Sequence, residues 1–392
     1  MGKYLNQIKR LLYIFIPKSL RREVKRILFG RPKICPSLYT WVKANPKYAE
    51  IVKEFWTSYQ TKRGVPKSLD SSISPPSIFI HNIDCHIYEK ALFRIKNVTM
   101  RGKEGILFLP DGTVTHQTGW DLEHVTATAV YKNKWKGKSV FKKGNFSSLM
   151  LYWGLGYYHW FTDVLAMLHN TLEIMPKDTI FLMPEGFDKV SNGDFYFKSL
   201  KNLGIDGDRV QEFNGTESWT FQNFWWQPPA VHPGDQTPGA AQWIGQRISN
   251  SVPKSSDEKP VKIYISRVLP YARILVNEEK FLSQLQDLGF RICLLEQMPF
   301  EEQVRLFRNA EVVAGPHGAG FTNLIFCMPG TRVVEILPKG HERRCYWTLC
   351  AELGHEYRCF LGDPKFPARR GDPDIKVDTQ RFLVELKKFI NL

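Results

Sequence analysis

A histidine stands inside a glycine-rich turn, where few other side chains are available for chemistry. Residues 312–327 read VVAGPHGAGFTNLIFC, so His317 lies among Gly315, Gly318 and Gly320. Glycines let a backbone approach a ligand closely, and backbone N–H groups at the start of a helix attract anions. A histidine there could donate to a phosphate oxygen. The spacing G-x-x-G-x-G matches neither a dinucleotide fingerprint nor a P-loop, so a tight turn with a packed histidine is the alternative.

Polar residues on either side of this turn extend the same chemistry. Thr322 and Asn323 follow the glycines and add polar contacts at the start of the predicted helix. Upstream, Arg267 and Arg273 supply two guanidinium groups, which suit a diphosphate. Glu335 is a carboxylate that could accept hydrogen bonds from ribose or sugar hydroxyls. Each residue taken singly has the alternative of a surface salt bridge, but together they favour a site for a phosphorylated ligand.

Regular alternation of strands and helices must bring these residues together. The strands VKIYIS, FRICLL, EVVAG, TRVVEIL and EYRCFLG are separated by helical segments. This pattern predicts an α/β fold with a doubly wound parallel sheet, whose ligands bind beyond the carboxyl ends of the strands. Arg267, Arg273 and the glycine turn follow strands, and Glu335 is close to the end of another. We therefore expect them on one rim of the sheet.

The rest of the chain divides into further predicted units. Residues 76–240 carry short strands and an apolar helical period over 157–175, which predicts a first domain. Residues 241–365 form the second domain. A Pro-containing connection and a helix near 379–390 make up residues 366–392, and we expect this helix to pack back on the first domain.

The N-terminal segment, residues 1–75, is predicted to be a basic amphipathic arm and a linker. The chain has a formal net charge of +15, and residues 1–33 hold ten Lys or Arg and one Glu, a net +9. The apolar run Leu11–Ile16 is far shorter than the ~20 residues that span a bilayer. The helical spacing after Pro17 predicts contact with an anionic membrane surface, with a solvated extension or a helix docked on the protein as alternatives. No nucleic-acid motif is present, so we expect no nucleic-acid partner.

The cysteines and the paired aspartates are not predicted to form metal sites. Seven cysteines without paired spacing indicate a reducing compartment. Cys345, Cys350, Cys359 and His355 cluster in the sequence, but buried small side chains are favoured over a zinc site. The sequences DGD at 206–208 and DPD at 372–374 are predicted to be turns away from the glycine rim. We expect no metal and no cofactor.

At this point two motifs resemble a known family. The stretch from NEEKFLSQLQDLGF at 277 to VVEILP at 338, and YYHWFTDVL at 157–165, are similar to family 61 glycosyltransferases. That family includes plant xylosyl- and arabinosyltransferases, protein O-linked N-acetylglucosaminyltransferases and bacterial polysaccharide-biosynthesis proteins. The resemblance covers roughly residues 80–365. It implies a GT-B fold, with two Rossmann-like domains facing a cleft, and transfer from a nucleotide sugar to a glycan or polysaccharide acceptor with inversion.

The resemblance also implies residue roles and a location. The residues that fall on the family's donor-side pattern are Arg267, Asn277, Glu278, His317, Gly318, Ala319, Gly320, Asn323 and Glu335. Eukaryotic members usually carry a membrane-spanning anchor, whereas the arm of this chain is too short to span. We therefore expect a cytoplasmic protein, peripheral on the cytoplasmic face of a bacterial inner membrane.

Inversion needs a general base on the face opposite the leaving group. His159 and Asp163 are four residues apart on one predicted helix face, so one could be the base and the other its orienting partner. The alternative is an aromatic-rich core helix with a hydrogen-bonded histidine. For the whole chain, the alternatives are another GT-B-like transferase, a nucleotide-sugar epimerase, or a non-catalytic protein that binds glycans or nucleotides.

Overall fold

The computed structural model describes most of the chain. The described residues are 34–35, 37–115, 138–151, 153–189, 193–254, 259–267, 273–369 and 372–391. The predicted amphipathic arm, residues 1–33, lies outside this part of the chain. Within the described residues, no helix combines the length and apolar character needed to cross a membrane.

Strands make up two main sheets in the described part of the chain. In chain order they are β1 Ile34–Cys35, β2 Ala49–Trp56, β3 Tyr59–Lys62, β4 Lys67–Ser68, β5 Asp84–Ile87, β6 Lys90–Ile95, β7 Val98–Arg101, β8 Ile106–Phe108, β9 Val114–Thr115, β10 Ser139–Ser148, β11 Ile180–Pro184, β12 Val210–Phe213, β13 Ser218–Trp226, β14 Val261–Ile265, β15 Phe290–Cys293, β16 Ala310–Pro316, β17 Arg332–Pro338, β18 Glu356–Arg369 and β19 Asp372–Lys376.

The helices are short, and several helical turns are of the 3-10 or π type. The α-helices are α1 Leu38–Ala44, α2 Ser77–Ile80, α3 Tyr157–His159, α4 Asp194–Asn202, α5 Ala240–Ser251, α6 Leu282–Asp287, α7 Phe300–Arg308, α8 Cys345–Leu353 and α9 Thr379–Ile390. A π-helical turn spans Trp160–Val164, and 3-10 turns span Leu165–Leu168, Phe187–Lys189, Gly207–Arg209, Glu278–Lys280, Leu295–Gln297 and Ala319–Phe326.

The first sheet is mixed. Its strand order is β1-β9-β8-β7-β13-β10-β11-β12, and β6 joins β13 to β2. The strands β13, β10, β11 and β12 are mutually parallel, whereas β7 and β6 run antiparallel to β13. The Rossmann-like topology expected for residues 76–240 is therefore present only in the parallel half. The antiparallel half reflects strands joined by tight turns, such as the turn at residues 102–105 between the paired strands β7 and β8, too short for a crossover helix.

The prediction that residues 34–75 are a linker is wrong for the described part of that segment. Strand β2 pairs antiparallel with β6, and β4 adds a parallel edge strand to the second sheet beside β18. The helix α1 begins at Ser37, whose side chain accepts a hydrogen bond from the Thr40 N–H. Residues 64–77 are rich in Pro and Ser, so their sequence does not predict the short strand β4, which forms because β18 lies beside it.

The second sheet confirms the predicted parallel alternation. Its order is β15-β14-β16-β17-β18-β19, and every pair from β15 to β18 is parallel. The helix α7 follows Pro299, with Glu301 and Glu302 in its first turn and two arginines in its last, a charge distribution that favours the helix dipole. The central strands are almost entirely buried, as expected when helices cover both faces.

The C-terminal segment differs from the prediction for residues 366–392. Strand β18 continues to Arg369 and forms an antiparallel hairpin with β19, where a linker was expected. The helix α9 spans the predicted residues, but it packs on the second sheet: the ring of Phe382 contacts Phe281 and Phe360. Because the apolar face of α9 meets the same sheet that its connection leaves, the helix does not return to the first one.

One buried apolar cluster contains residues of both sheets and of the helices between them. The largest buried cluster contains Phe181 of the first sheet, Val333 of the second, and Ile244 of α5 between them. At Gly245 the helix α5 lies so close to residues 319–326 that an added Cβ would overlap the Ile325 carbonyl oxygen. The predicted domain boundary near residue 240 thus falls where the two units are in close contact.

We expect Gly245→Ala to lower the free energy of unfolding by about 3 kcal/mol, because the backbone carbonyl that the methyl group meets cannot rotate away. Urea denaturation measures the change. Gly207→Ala is the control, since a Cβ there meets nothing within 4 Å. Equal stability of the two variants would show that the α5 contact is looser than the structure has it.

Candidate functional site

The glycine turn lies at the carboxyl end of β16, next to the ends of β14 and β17. Tyr264 of β14 is paired with Ala314, and Gly315 with Glu335 of β17. The backbone N–H of His317 donates to the Ile336 carbonyl at 2.9 Å, which fixes the turn to β17. The rim predicted from the sequence therefore exists.

Each glycine of the turn is required by a close contact. A Cβ on Gly315 would lie 2.6 Å from the Ile265 carbonyl oxygen, and one on Gly320 would lie 2.8 Å from Leu295 Cδ1. At Gly318 a Cβ would overlap the Arg267 guanidinium, which lies directly on the backbone there. The glycines thus bring a guanidinium group against the turn.

The side chain of His317 is held by a buried carboxylate. Its Nδ1–H donates to Glu335 Oε1, and the Tyr357 hydroxyl donates to Glu335 Oε2 at 2.6 Å. Glu335 has no exposed surface, both of its oxygens are engaged within the fold, and it fixes the ring of His317. Its contact with ribose or sugar hydroxyls stays a prediction. The other ring nitrogen, Nε2, has no partner among the described residues and is the atom that could meet a ligand.

Arg267 is positioned by a second buried carboxylate. Glu278 accepts from the Tyr264 hydroxyl at 2.8 Å, from the Ser266 hydroxyl at 2.5 Å and from the Arg267 backbone N–H. Burial raises the pKa of Glu278, and these hydrogen bonds oppose the rise. Glu278 therefore shapes the segment that carries Arg267, and its own contact with a donor stays a prediction.

Arg273 lies close to Arg267 and is held by the β18–β19 hairpin. Its backbone has a positive φ of 61°, and its guanidinium is 3.5 Å from Asp372, which also pairs with Arg343 at 2.9 Å. Burial lowers the pKa of Arg267, and the charge of Arg273 lowers it further. Two cations held together in this way favour an anion between them.

The DPD sequence is therefore neither a turn nor remote from the rim. Asp372 begins β19 and binds the two arginines, while Asp374 accepts from the Ile274 N–H at 2.9 Å. In contrast, DGD at 206–208 lies in an exposed 3-10 turn, as expected for a turn. No group of three or more His, Cys, Asp or Glu side chains suited to a metal occurs among the described residues.

Two asparagines predicted to contact the donor have structural partners. Asn277 donates to the Val377 carbonyl at 2.8 Å and accepts from the Val377 N–H, so it braces the start of α9. Asn323 has no exposed surface: it donates to Gln303 at 2.9 Å and accepts from the Tyr157 hydroxyl at 2.6 Å. Both amides are engaged within the fold, and their contacts with a donor stay predictions.

The remaining members of the turn differ in exposure. Thr322 is fully buried, with its hydroxyl beside that of Tyr346. Ala319 is exposed and Gly320 is half-buried at the start of the 3-10 turn. Of these three residues, only Ala319 and Gly320 therefore offer exposed surface to a ligand. The 3-10 geometry replaces the α-helix that the sequence predicts.

His159 and Asp163 form a hydrogen-bonded pair on the helix that faces this rim. His159 Nδ1 lies 2.5 Å from Asp163 Oδ2, and the Thr162 hydroxyl donates to Asp163 Oδ1 at 3.2 Å. The Asp163 side chain is 1% exposed and that of His159 is 32% exposed. Burial raises the pKa of Asp163, and the contact with His159 opposes the rise. The ring of His159 is thus reachable from solvent while its partner is not.

The predicted long helix at 157–175 is broken. One α-helical turn at Tyr157–His159 passes into the π-helical turn Trp160–Val164 and then into a 3-10 turn ending at Leu168. Isolated π-turns inside helices are frequent at functional sites. The same residues also build the core, because Trp160 and Phe161 are buried, so the core-helix interpretation and a catalytic one hold together.

Two tyrosine rings connect His159 to His317. Tyr158 contacts His159 with ring centroids 5.2 Å apart and Tyr346 at 5.5 Å, and Tyr346 contacts His317 at 5.3 Å. Gln236 donates to the Tyr158 hydroxyl at 3.0 Å. The two histidines therefore belong to one packed assembly.

Sequence reasoning missed several of these residues. Arg343 and Tyr346 follow the carboxyl end of β17, and that position beyond a strand of the parallel sheet is a signal that points to them. Tyr357 is one apolar position of a strand, and Gln236 lies in a Pro- and Gly-rich stretch. Neither carries a local signal, because their partners are distant in sequence.

The cysteine cluster is a packed interior, as predicted. Cys350 and Cys359 are buried, burial raises the pKa of the Cys350 thiol, and all seven cysteines are free. His355 contacts the Leu324 carbonyl through Nε2 at 3.1 Å.

Comparison with known proteins gives matches to the part of the chain that holds this site. Residues 157–334 match the family described as Glycosyltransferase 61. An EGF domain-specific O-linked N-acetylglucosamine transferase of Drosophila melanogaster is 26% identical over 149 residues, 36% of this chain and 28% of that protein. A beta-1,2-xylosyltransferase of Arabidopsis thaliana is 30% identical over 96 residues, 21% of this chain and 18% of that protein.

These relatives are much longer than the matched region. The Xenopus laevis EGF domain-specific O-linked N-acetylglucosamine transferase is 37% identical over 73 residues, 18% of this chain and 14% of that protein. The chain thus spans between 14% and 28% of the length of these three relatives. The region that matches the glycosyltransferase 61 family holds the His159–Asp163 pair, Arg267 and the glycine turn.

Proposed function

We propose that this protein is an inverting, metal-independent glycosyltransferase that moves a sugar from a nucleotide-sugar donor to a glycan or polysaccharide acceptor. The observation that carries the proposal is the Arg267 guanidinium lying on Gly318. This guanidinium lies beside His317 at the rim of a parallel sheet, which is where such folds bind phosphorylated ligands. The match of residues 157–334 to the glycosyltransferase 61 family supports the reaction class, and the names of the relatives support a hexosyl or pentosyl donor, proposed to be UDP-linked.

The donor diphosphate is proposed to lie between Arg267, Arg273 and His317. The two guanidiniums repel each other, and an anion bound between them relieves that repulsion while receiving charge-assisted hydrogen bonds. Protonated His317 would donate through Nε2. Because these groups can neutralise a departing diphosphate, the proposed mechanism needs no metal ion.

The chemical step is proposed to use His159 as general base. Nε2, the nitrogen that does not face Asp163, takes the proton of the acceptor hydroxyl as that oxygen attacks the anomeric carbon. The bond from the anomeric carbon to the diphosphate breaks on the opposite face, and the electron pair leaves with the diphosphate toward Arg267. Asp163 fixes the ring and offsets the positive charge that His159 acquires.

The wider setting is also a proposal. A helix from the first sheet facing the rim of the second supports a GT-B-like arrangement with the acceptor on the His159 side. For residues 1–33 we retain contact with an anionic membrane surface at the cytoplasmic face as the proposed role. Undiminished binding to anionic vesicles by a chain starting at residue 34 would contradict that role.

We expect Arg267→Ala and His317→Ala each to weaken nucleoside diphosphate binding by ~1.5–3 kcal/mol, the contribution of a charge-assisted hydrogen bond. Isothermal titration calorimetry with UDP measures the loss. Arg291→Ala is the matched control, because Arg291 pairs with Glu302 on the exposed surface. Unchanged affinity in both site variants would refute the donor site.

We expect Glu335→Gln to reduce nucleotide affinity by ~5- to 100-fold, because His317 loses the carboxylate that orients it. The double variant Glu335→Gln/His317→Ala should bind no more weakly than His317→Ala alone, since both changes act on one ring. Tyr357→Phe is the control: it removes a hydrogen bond from Glu335 but leaves the contact with His317. Additive losses in the double variant would contradict a positioning role.

We expect His159→Gln and Asp163→Asn to slow release of free nucleotide from a nucleotide sugar by ~10²–10⁴-fold, with donor affinity retained. Initial rates per folded molecule are compared with those of His86→Gln, an exposed histidine on β5. Normal rates in both variants would place the base elsewhere. Nucleotide-sugar binding by the wild-type chain without turnover would favour a non-catalytic binding protein.

A further inference from the structure

We propose that Phe366, with the edge of His341, forms a stacking platform for the base of the donor nucleotide. This inference rests on the proposed function, because it assigns one end of the ligand whose diphosphate lies at Arg267. It commits to a nucleoside diphosphate, whose base would lie on the face of Phe366. The observations that carry it are the exposure of Phe366, its place on the hairpin, and the connection of that hairpin to the arginines.

Phe366 is a large apolar residue that the fold leaves mostly exposed. Its side chain is 65% exposed, the highest value among the large apolar residues of the described ranges. It contacts the ring of His341, with centroids 5.9 Å apart and planes at 64°. A single T-shaped neighbour supports the ring and leaves at least one of its faces uncovered. A planar base can therefore stack on a ring that the fold leaves uncovered.

The hairpin carries Phe366 beyond the rim where the diphosphate is proposed to bind. Pairing of β18 with β17 ends at Gly362, opposite Pro338, and β18 then continues beside β19. Phe366 comes four residues after Gly362, about 13 Å at a strand rise of about 3.3 Å per residue. It lies two strands across from the glycine turn, roughly 10 Å in a sheet. An extended nucleoside diphosphate can bridge this span.

The hairpin is tied to the arginines that would hold the diphosphate. Asp372 of β19 pairs with both Arg273 and Arg343, and Asp374 accepts from the Ile274 N–H. Arg343 and His341 belong to the same segment after β17, so the platform and the arginines share one support. The position of Phe366 relative to a bound diphosphate is thereby fixed.

The contacts that lead away from the arginines in two directions assign the two ends of the ligand to different places. From the arginines, the ring contacts through Tyr346 and Tyr158 lead to His159, where the sugar would react. In the other direction, Asp372 leads to the hairpin and Phe366. A donor lying along this path has its sugar at one end and its base at the other, which favours a nucleobase over an acceptor sugar at Phe366.

Isothermal titration calorimetry of the full chain with UDP, CDP, GDP, ADP and dTDP tests the assignment. Phe366→Ala should weaken the tightest-binding nucleotide by ~5- to 100-fold, as expected for loss of one base–aromatic stack. Phe366→Trp should retain most of the affinity. Phe141→Ala is the matched control, because Phe141 is 54% exposed on the first sheet. Displacement of the nucleotide by inorganic pyrophosphate should need no more pyrophosphate in Phe366→Ala than in the wild type.

The outcomes separate this inference from the proposed function. Nucleotide affinity that is unchanged in Phe366→Ala but lost in Arg267→Ala overturns the platform and leaves the donor site intact. A loss of pyrophosphate affinity equal to the loss of nucleotide affinity also overturns it, because Phe366 would then act through the arginines. Failure of the wild-type chain to bind any of the five nucleotides defeats the donor site itself, and the platform with it.

Discussion

The proximity of two guanidinium groups, those of Arg267 and Arg273, is the constraint on which the proposed donor site depends. Arg267 is half-buried, and burial together with the charge of Arg273 lowers its pKa. Glu278 accepts from the Arg267 backbone N–H, and Asp372 pairs with the side chain of Arg273. The two arginines are therefore held in place by carboxylates on different elements of the fold.

Acidic and amide residues at the rim show where sequence reasoning succeeds and where it stops. The alternation of strands and helices predicts which residues reach the rim, and Arg267, Arg273 and His317 lie there as expected. Whether a side chain faces the ligand or the scaffold depends on partners far away in sequence. Glu335 accepts a hydrogen bond from Tyr357, and Asn277 donates one to Val377, which follows it by one hundred residues. Composition and spacing contain no trace of such pairings.

The first sheet was harder to predict for a different physical reason. Its edge strand β1 has only two residues, and β2 has Glu50, Lys53 and Glu54 among its apolar residues, so neither strand shows a regular apolar alternation. They exist because neighbouring strands offer unpaired N–H and C=O groups, as β6 does for β2. The bounds of α9, by contrast, follow from its own sequence, with Asp378 capping the first turn and an apolar stripe along one face.

The π-helical turn at Trp160–Val164 makes chain length a sensitive property of this segment. A π-turn accommodates one residue more than an α-turn, so deleting a residue there lets the backbone close into a regular helix without breaking the chain. Each residue of a helix advances the direction of the side chains by about 100°. A deletion would therefore rotate Tyr157 and His159 relative to the buried residues that follow them, and the two parts of the helix could not both keep their present neighbours. The extra residue thus sets the relative orientation of the solvent-reachable ring of His159 and the core behind it.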